Sequence, residues 1–175
     1  MAEHHGLDKA VWTQDDFPVM GWHDATVHAI GFDEDELWAE RLLLDLDYIV
    51  KWIEPAVPEE NFSFLIAPAT LVFEGVGVVE AELESSRLLL TIDDIHRELE
   101  SQQAPDAVSK WMIDGHDFNL RFSARGFHQH FRRAPINAGR SQRLTLLQRG
   151  GLSFSEPSTF EPLERGQARD RRTDE

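Results

Sequence analysis

His128 and His130 form a His-x-His pair within residues 118–133, the most informative stretch of the sequence. On a β-strand, residues two apart point to the same side and lie about 7 Å apart, so the pair could seed a site for zinc, iron or nickel. Such a site also needs a nearby carboxylate or a third imidazole. Arg132 and Arg133 follow instead, and two guanidinium groups would oppose a bound cation. We therefore predict no metal here and favour a strand surface that faces solvent or an anion.

Asp45 and Asp47 form a second pair, on the polar side of an alternating segment. Two neighbouring carboxylates can bind Mg²⁺ or Ca²⁺, or share a proton. The same acidic row can instead face solvent or pair with arginines on the next strand. We favour this second alternative and keep the two residues as a candidate acidic cluster.

Trp22-His23-Asp24, with His28 close behind, places a histidine beside a carboxylate, as in a general base with its orienting partner. Adjacent residues of a strand point to opposite faces, so the two side chains meet only if the strand begins after them. We expect a structural turn at Asp24. Further acidic and histidine side chains could converge in space with the acidic cluster, although no spacing demands it. They are Asp93, Asp94, His96, Asp114, His116 and Asp117.

The apolar residues change parity at Arg125-Gly126, from even positions (Phe118 to Ala124) to odd ones (Phe127, Phe131). Such a change at a glycine predicts a β-bulge. The bulge would bring six polar residues to one side of the strand, which we take as the candidate ligand-binding face: Asn119, Arg121, Ser123, His128, His130 and Arg132. This face could accept a carboxylate or phosphate from a ligand. It could also neutralise the protein's own Asp45 and Asp47, which is the alternative we favour.

The sequence contains no nucleophile elbow, P-loop or dinucleotide-binding glycine motif. Because it has no cysteine, it has no thiol nucleophile, disulfide or cysteine-ligated metal. No cofactor is expected, and no residue can be assigned as catalytic.

These residues must be positioned by strands, since alternating or β-branched apolar segments fill most of the chain. We predict strands at residues 25–32, 37–50, 62–67, 70–79, 88–92, 111–113, 118–124, 144–147 and 152–154. Pro68 is expected to separate two of them, and Asp114-Gly115 and Gly150-Gly151 to form hairpin turns. Residues 93–103 fit either a short helix or an extended edge, and residues 107–111 fit a helical turn.

The predicted fold class is mainly β, with little helix. We expect an antiparallel sandwich or partly closed barrel of about seven to nine strands. Residues 1–16 and 156–175 carry little apolar periodicity and are predicted to be flexible tails. Residues 17–155 are predicted to form a single β-rich domain.

Charge is distributed unevenly along the 175 residues, whose formal net charge is -15. Residues 1–120 hold 26 acidic and 6 basic residues, a balance of -20, whereas residues 121–175 hold 6 acidic and 11 basic residues, a balance of +5. An acidic body repels phosphate backbones, so we expect no nucleic-acid partner. No apolar run approaches the roughly 18 to 20 residues of a membrane span, so no membrane partner is expected either. The polar N-terminus does not resemble a signal peptide, and we expect a cytoplasmic protein.

Five segments together resemble a family of small uncharacterised bacterial proteins: FPVMGWHDATVHAI, LLLDLDYIVKW, APATLVFEGV, LTIDDIHREL and FSARGFHQHFRRAP. The resemblance covers about residues 17 to 154. This family has no established activity, so the resemblance supplies no catalytic residues. The Trp-His-Asp opening and the acidic β-rich body are also similar to some immunity proteins of polymorphic toxins.

Two functional hypotheses follow. In the first, which we favour, the chain is a non-catalytic protein-binding module, immunity-like or structural, whose acidic surface meets a basic protein partner. A homodimer through an uncovered sheet edge is a further expectation. In the second, clustered histidines and aspartates serve a small-ligand or metal-dependent enzyme inside a β cavity.

Overall fold

The computed structural model describes residues 7–37, 39–84, 89–99 and 108–160. Apart from the 3-10 helix Gln14–Val19 and the short helix α1 (Leu146–Arg149), its regular elements are strands. The strands are β1 (Val11–Thr13), β2 (Thr26–Glu34), β3 (Glu40–Ile53), β4 (Ser63–Glu74), β5 (Glu80–Leu83), β6 (Leu90–Leu99), β7 (Ser109–Gly115), β8 (Phe118–Ala124), β9 (Gly126–Phe131) and β10 (Ile136–Asn137).

The strands form one antiparallel sheet in the order β1-β9-β4-β3-β2-β6-β7-β8-β5, and β10 pairs with β4. The sheet folds over at the β2–β6 pairing into a first layer (β1, β9, β4, β3, β2) and a second layer (β6, β7, β8, β5). Aromatic rings join the two layers, as where Phe73 of β4 meets Phe122 of β8 at 4.7 Å and Trp111 of β7 at 5.2 Å. The predicted fold class is therefore confirmed as a mainly β, sandwich-like sheet, and its end strands β1 and β5 do not pair to close a barrel.

The described residues contain ten strands, against the seven to nine that we predicted. Two of the ten, β1 and β10, have only three and two residues. Stretches this short show too little alternation to stand out in a sequence. The predicted hairpin between β7 and β8 is confirmed, but Asp114 and Gly115 still belong to β7, and the turn itself is formed by His116 and Asp117.

β3 is buried on both faces through its central part. The side chains of Leu42, Leu44 and Leu46 point into the core between the layers. On its outer face, Leu43 and the acidic pair lie beneath residues 133–155, which cross the first layer. The alternation of residues 37–50 is typical of a half-buried strand, and this expectation is wrong here, because alternation shows which residues share a face but not whether a later segment covers it.

Three predicted boundaries are wrong. Pro68 does not divide a strand, since β4 runs through it and its carbonyl still accepts the N–H of Arg132 at 3.0 Å. Residues 108–111 are extended rather than helical. For residues 93–103 the extended alternative is observed over 93–99, although β6 lies between β2 and β7 and not at an edge, and residues 100–107 lie outside the described part. Residues 7–16, which we assigned to a flexible tail, carry β1, the start of the 3-10 helix and the fully buried Leu7.

The predicted hairpin at Gly150-Gly151 is replaced by α1. Thr145 caps the helix, accepting the N–H of Gln148, whose side chain in turn accepts the N–H of Thr145. Gly150 ends it with a φ of 80°, in the left-handed region that glycine adopts easily. The Thr-x-x-Gln capping box and the following glycine were the signals of a helix in this sequence.

The parity change at Arg125 exists, but it marks a corner between the layers and not a bulge within one strand pair. β8 pairs with β7 in the second layer, whereas β9 pairs with β4 in the first. The connection from β4 to β5 passes between the layers at the same corner. Two hydrogen bonds of 2.9 Å join it to the connection from β8 to β9: the N–H of Arg125 donates to the Glu74 carbonyl, and the N–H of Gly77 donates to the Ser123 carbonyl.

Candidate functional site

Asp45 lies at the centre of a buried ionic cluster on the outer face of the first layer. Arg149 donates from Nη1 to its Oδ2 at 2.8 Å and from Nη2 to its Oδ1 at 2.6 Å. Arg132 donates to Oδ1 at 2.7 Å, and the N–H of Ser153 donates to Oδ2 at 2.9 Å. Both carboxylate oxygens are therefore saturated by the protein itself.

Asp47 is the second fully buried carboxylate of this cluster. It accepts Nε of Arg149 at 3.1 Å, the N–H of Leu144 at 2.8 Å and Nε2 of His28 at 2.9 Å. From the sequence we favoured the alternative in which the protein's own arginines neutralise Asp45 and Asp47. The contact between Asp45 and Arg132 agrees with that alternative. Arg149 was not among our candidates, although residues 132–155 contain five arginines and no acidic residue.

The ionic cluster fastens residues 144–153 to the sheet. Burial alone would raise the pKa of Asp45, but the bonds from Arg149, Ser153 and Arg132 outweigh it and hold that pKa below its ordinary value. Burial also acts against the charge of Arg149, yet its two aspartate partners raise its pKa overall. All four charged groups are therefore committed to each other, which favours a structural role for Asp45 and Asp47 over catalysis or metal binding.

His128 and His130 lie near the edge of the first layer, with ring centroids 6.2 Å apart. His128 Nδ1 is 3.3 Å from Glu74 Oε1, and His130 Nε2 is 3.5 Å from Glu156 Oε2. Burial lowers the pKa of His130, although Glu156 opposes this effect. Within the described residues, no three histidine, cysteine or carboxylate side chains are grouped so that they could hold a metal ion.

The six residues of the candidate ligand-binding face are divided between the two layers. His128, His130 and Arg132 belong to the first layer, where residues 153–159 contact His130 and Arg132. Asn119, Arg121 and Ser123 project from β8 on the outside of the second layer. The chain turns the corner between these two groups, so they do not form one binding face.

The outer face of the second layer is open. Antiparallel register aligns its outward side chains in three rows across the strands. The first row is Asp94, Asp114, Asn119 and Glu82; the second is His96, Met112, Arg121 and Glu80; the third is Glu98, Lys110 and Ser123. We call this surface the acidic face, because it carries five carboxylates and two cationic side chains.

A groove of about 470 Å³ crosses the acidic face, with Met112, Arg121 and the exposed Val78 among its lining residues. Beside it, His96 Nε2 is 3.2 Å from Asp114 Oδ2, and its Nδ1 is 3.8 Å from Asp94 Oδ2. Part of the predicted Asp and His convergence therefore exists here. The buried acidic cluster of the first layer is not part of it.

His23 and Asp24 occupy the turn before β2. Asp24 has a φ of 64°, and its N–H donates to the Ile92 carbonyl at 2.9 Å, so the expected structural turn is observed. His23 Nε2 is 3.7 Å from Asp24 Oδ2, beyond hydrogen-bond distance. The Asp24 carboxylate instead accepts Nε2 of Gln142 at 2.7 Å.

With this geometry in place, known proteins offer no parallel. No family model, curated protein or solved structure matches this chain. Among the described residues, no helix has the length and apolar character needed to cross a membrane.

Proposed function

We propose that the protein is a non-catalytic binding module whose acidic face takes a basic protein partner. The observation that carries the proposal is the contrast between the two outer faces. On the first layer, the protein's own arginines neutralise Asp45 and Asp47 under a covering segment. On the second layer, five carboxylates stand in register against two cations and remain open.

The arrangement of the acidic face supports this proposal. Aligned carboxylates produce a field that attracts a basic partner over several ångströms and accelerates its association. Met112 and Val78 add apolar contact area at the groove, and Val78 is 82% exposed. An apolar centre within a charged rim is typical of transient protein interfaces.

The test combines crosslinking with charge reversal. A photo-crosslinking residue in place of Met112 should capture a basic protein from cells that make this chain. The captured protein is then purified, and its dissociation constant is measured. Glu80→Lys/Glu82→Lys/Glu98→Lys should weaken binding at least about tenfold, and added salt should weaken wild-type binding further.

A matched control keeps the change in net charge but moves its position. Glu36→Lys/Glu59→Lys/Glu60→Lys alters three exposed carboxylates in the β2–β3 and β3–β4 loops, none of which lines the groove of the acidic face. It should leave binding within about twofold of the wild type, since long-range attraction is screened at physiological salt. A neutral or acidic captured protein, or equal loss in both triple variants, would overturn the proposal.

A further inference from the structure

His23 and Trp52 present two nearly parallel rings to solvent. Their centroids are 6.4 Å apart with an interplanar angle of 16°, and 67% of the His23 side chain and 42% of Trp52 are exposed. A cation within ~6 Å of both centroids would make a cation–π interaction with each ring. Neither the buried ionic cluster nor the acidic face includes these two rings.

Neighbouring groups hold both rings in place. Phe64 meets Trp52 edge-on at 5.0 Å, and Phe62 meets it at 5.9 Å. His23 Nδ1 lies 3.2 Å from the Asp93 carbonyl. A carbonyl only accepts hydrogen bonds, so Nδ1 carries a proton and donates it. The rings are therefore preorganised, which lowers the entropy lost when a ligand binds.

Acidic side chains near the pair favour a positive ligand. Asp24 Oδ2 lies 3.7 Å from His23 Nε2, and Glu54 is exposed two residues after Trp52. A planar cation can stack on the rings and meet the Asp24 carboxylate. The guanidinium group of arginine stacks on aromatic faces and donates a fork of hydrogen bonds to a carboxylate, whereas the ammonium of lysine is compact and strongly hydrated.

We infer that His23 and Trp52 form an arginine-binding slot. Its ligand is an arginine side chain of the basic partner, so the identity of the natural ligand rests on the proposed function. The position of the slot fits this role, because Asp93 belongs to β6, the strand that carries Asp94 and His96 of the acidic face. One bound partner can therefore contact the slot and the face together.

The slot can be tested without the partner. N-acetyl-arginine amide is titrated into ¹⁵N-labelled protein at pH 8, and the shift of the Trp52 indole N–H is followed by NMR. We expect saturable shifts at Trp52 and His23. N-acetyl-lysine amide should bind at least about threefold more weakly, and N-acetyl-citrulline amide, planar but uncharged, should give no saturable shift.

Variants separate the slot from general attraction to an acidic protein. Trp52→Leu keeps an apolar contact for Phe64. Both Trp52→Leu and His23→Ala should weaken arginine binding at least about fivefold. For Trp52→Leu, which lacks the indole signal, binding is followed by the signals of the His23 ring and of the nearby backbone N–H groups. His116→Ala is the matched control, because it removes another exposed histidine that contacts Asp93, and it should change nothing.

Three results would overturn the slot: no saturable shift up to about 50 mM arginine amide, equal binding of citrulline or lysine amide, or equal effects of His23→Ala and His116→Ala. Arginine amide binding without any basic partner at the acidic face would leave the slot standing and remove the proposed function. If the Trp52 and His23 variants bind the partner as tightly as the wild type, the slot does not take an arginine of the partner, and the proposed function still stands.

Discussion

Arg149 donates two hydrogen bonds of 2.6 and 2.8 Å to the carboxylate of Asp45, and both side chains are fully buried. This contact joins the short helix α1 to the central strand β3. In a medium of low polarity, each charge is tolerable only because the other is present. The stability of the fold should therefore depend on both charges of this pair.

Removal of the Arg149 charge should be costly. Arg149→Gln leaves Asp45 and Asp47 with fewer partners in a buried site, and we expect a loss of about 3 to 5 kcal/mol in the free energy of unfolding. Urea denaturation at pH 7 measures this loss. Arg143→Gln, which changes an exposed arginine of the same segment, should shift stability by less than about 0.5 kcal/mol. Equal effects of the two substitutions would refute the stabilising role of the cluster.

Asp45 should make the fold sensitive to acid. Because its pKa is lowered in the folded state, the unfolded chain binds the proton more readily. Its contribution to stability is thus fully present above the ordinary pKa of 3.8 and is lost as the pH falls through the lower, folded-state value. Urea midpoints of wild type and Asp45→Asn between pH 7 and pH 2 should converge below about pH 4. A constant difference over that range would contradict the assignment.

Protonation of His130 should lower the stability of the fold at a milder pH than protonation of Asp45 does. Burial is the main cause of its lowered pKa, opposed by Glu156 and Glu74 and assisted by His128 and Arg41. The unfolded chain again binds the proton more readily, so stability should decrease as the pH falls below 6.5 and level off beneath the folded-state pKa. His130→Gln should remove this part of the pH dependence. An NMR titration that places the pKa of His130 above 6.5 would reverse the sign and reject the prediction.

Replacement of Gly150 by alanine should destabilise the protein more than the same replacement of Gly139. Both have positive φ angles, 80° and 61°, so alanine at either position should cost about 1 to 2 kcal/mol of stability. At Gly150 a new Cβ would also lie 2.4 Å from Arg133 Nη2, whereas nothing lies within 4 Å at Gly139. Arg133 would have to leave the Gln148 carbonyl that it bonds at 3.1 Å. The midpoint of thermal unfolding should therefore be lower for Gly150→Ala than for Gly139→Ala, and the reverse order would contradict this account.

Local patterns predicted the strands well, because alternation is a property of neighbouring residues. The buried positions Phe118, Leu120 and Phe122 follow directly from it. The failures come from relations between distant parts of the chain. Parity places Arg121 and His130 on outward faces but does not indicate that the chain changes layers between them.

The candidate site was less predictable than the fold. The pairing of Asp45 with Arg132 could be anticipated, since an acidic strand needs cationic neighbours. The role of Arg149 could not, because its position over β3 depends on α1, and a capping box indicates where a helix begins but not what it packs against. The slot of His23 and Trp52 is formed by a turn and a strand end 29 positions apart, and no pattern in the sequence relates them.

The ionic cluster also imposes an order on biosynthesis. The partners of Asp45 follow it by 87 residues at Arg132 and by 104 residues at Arg149. While the ribosome is still making the intervening chain, the middle of β3 carries two carboxylates that cannot be buried without them. Maturation of this sheet therefore waits for Arg149, and a nascent chain that ends before this residue leaves Asp45 and Asp47 in contact with water.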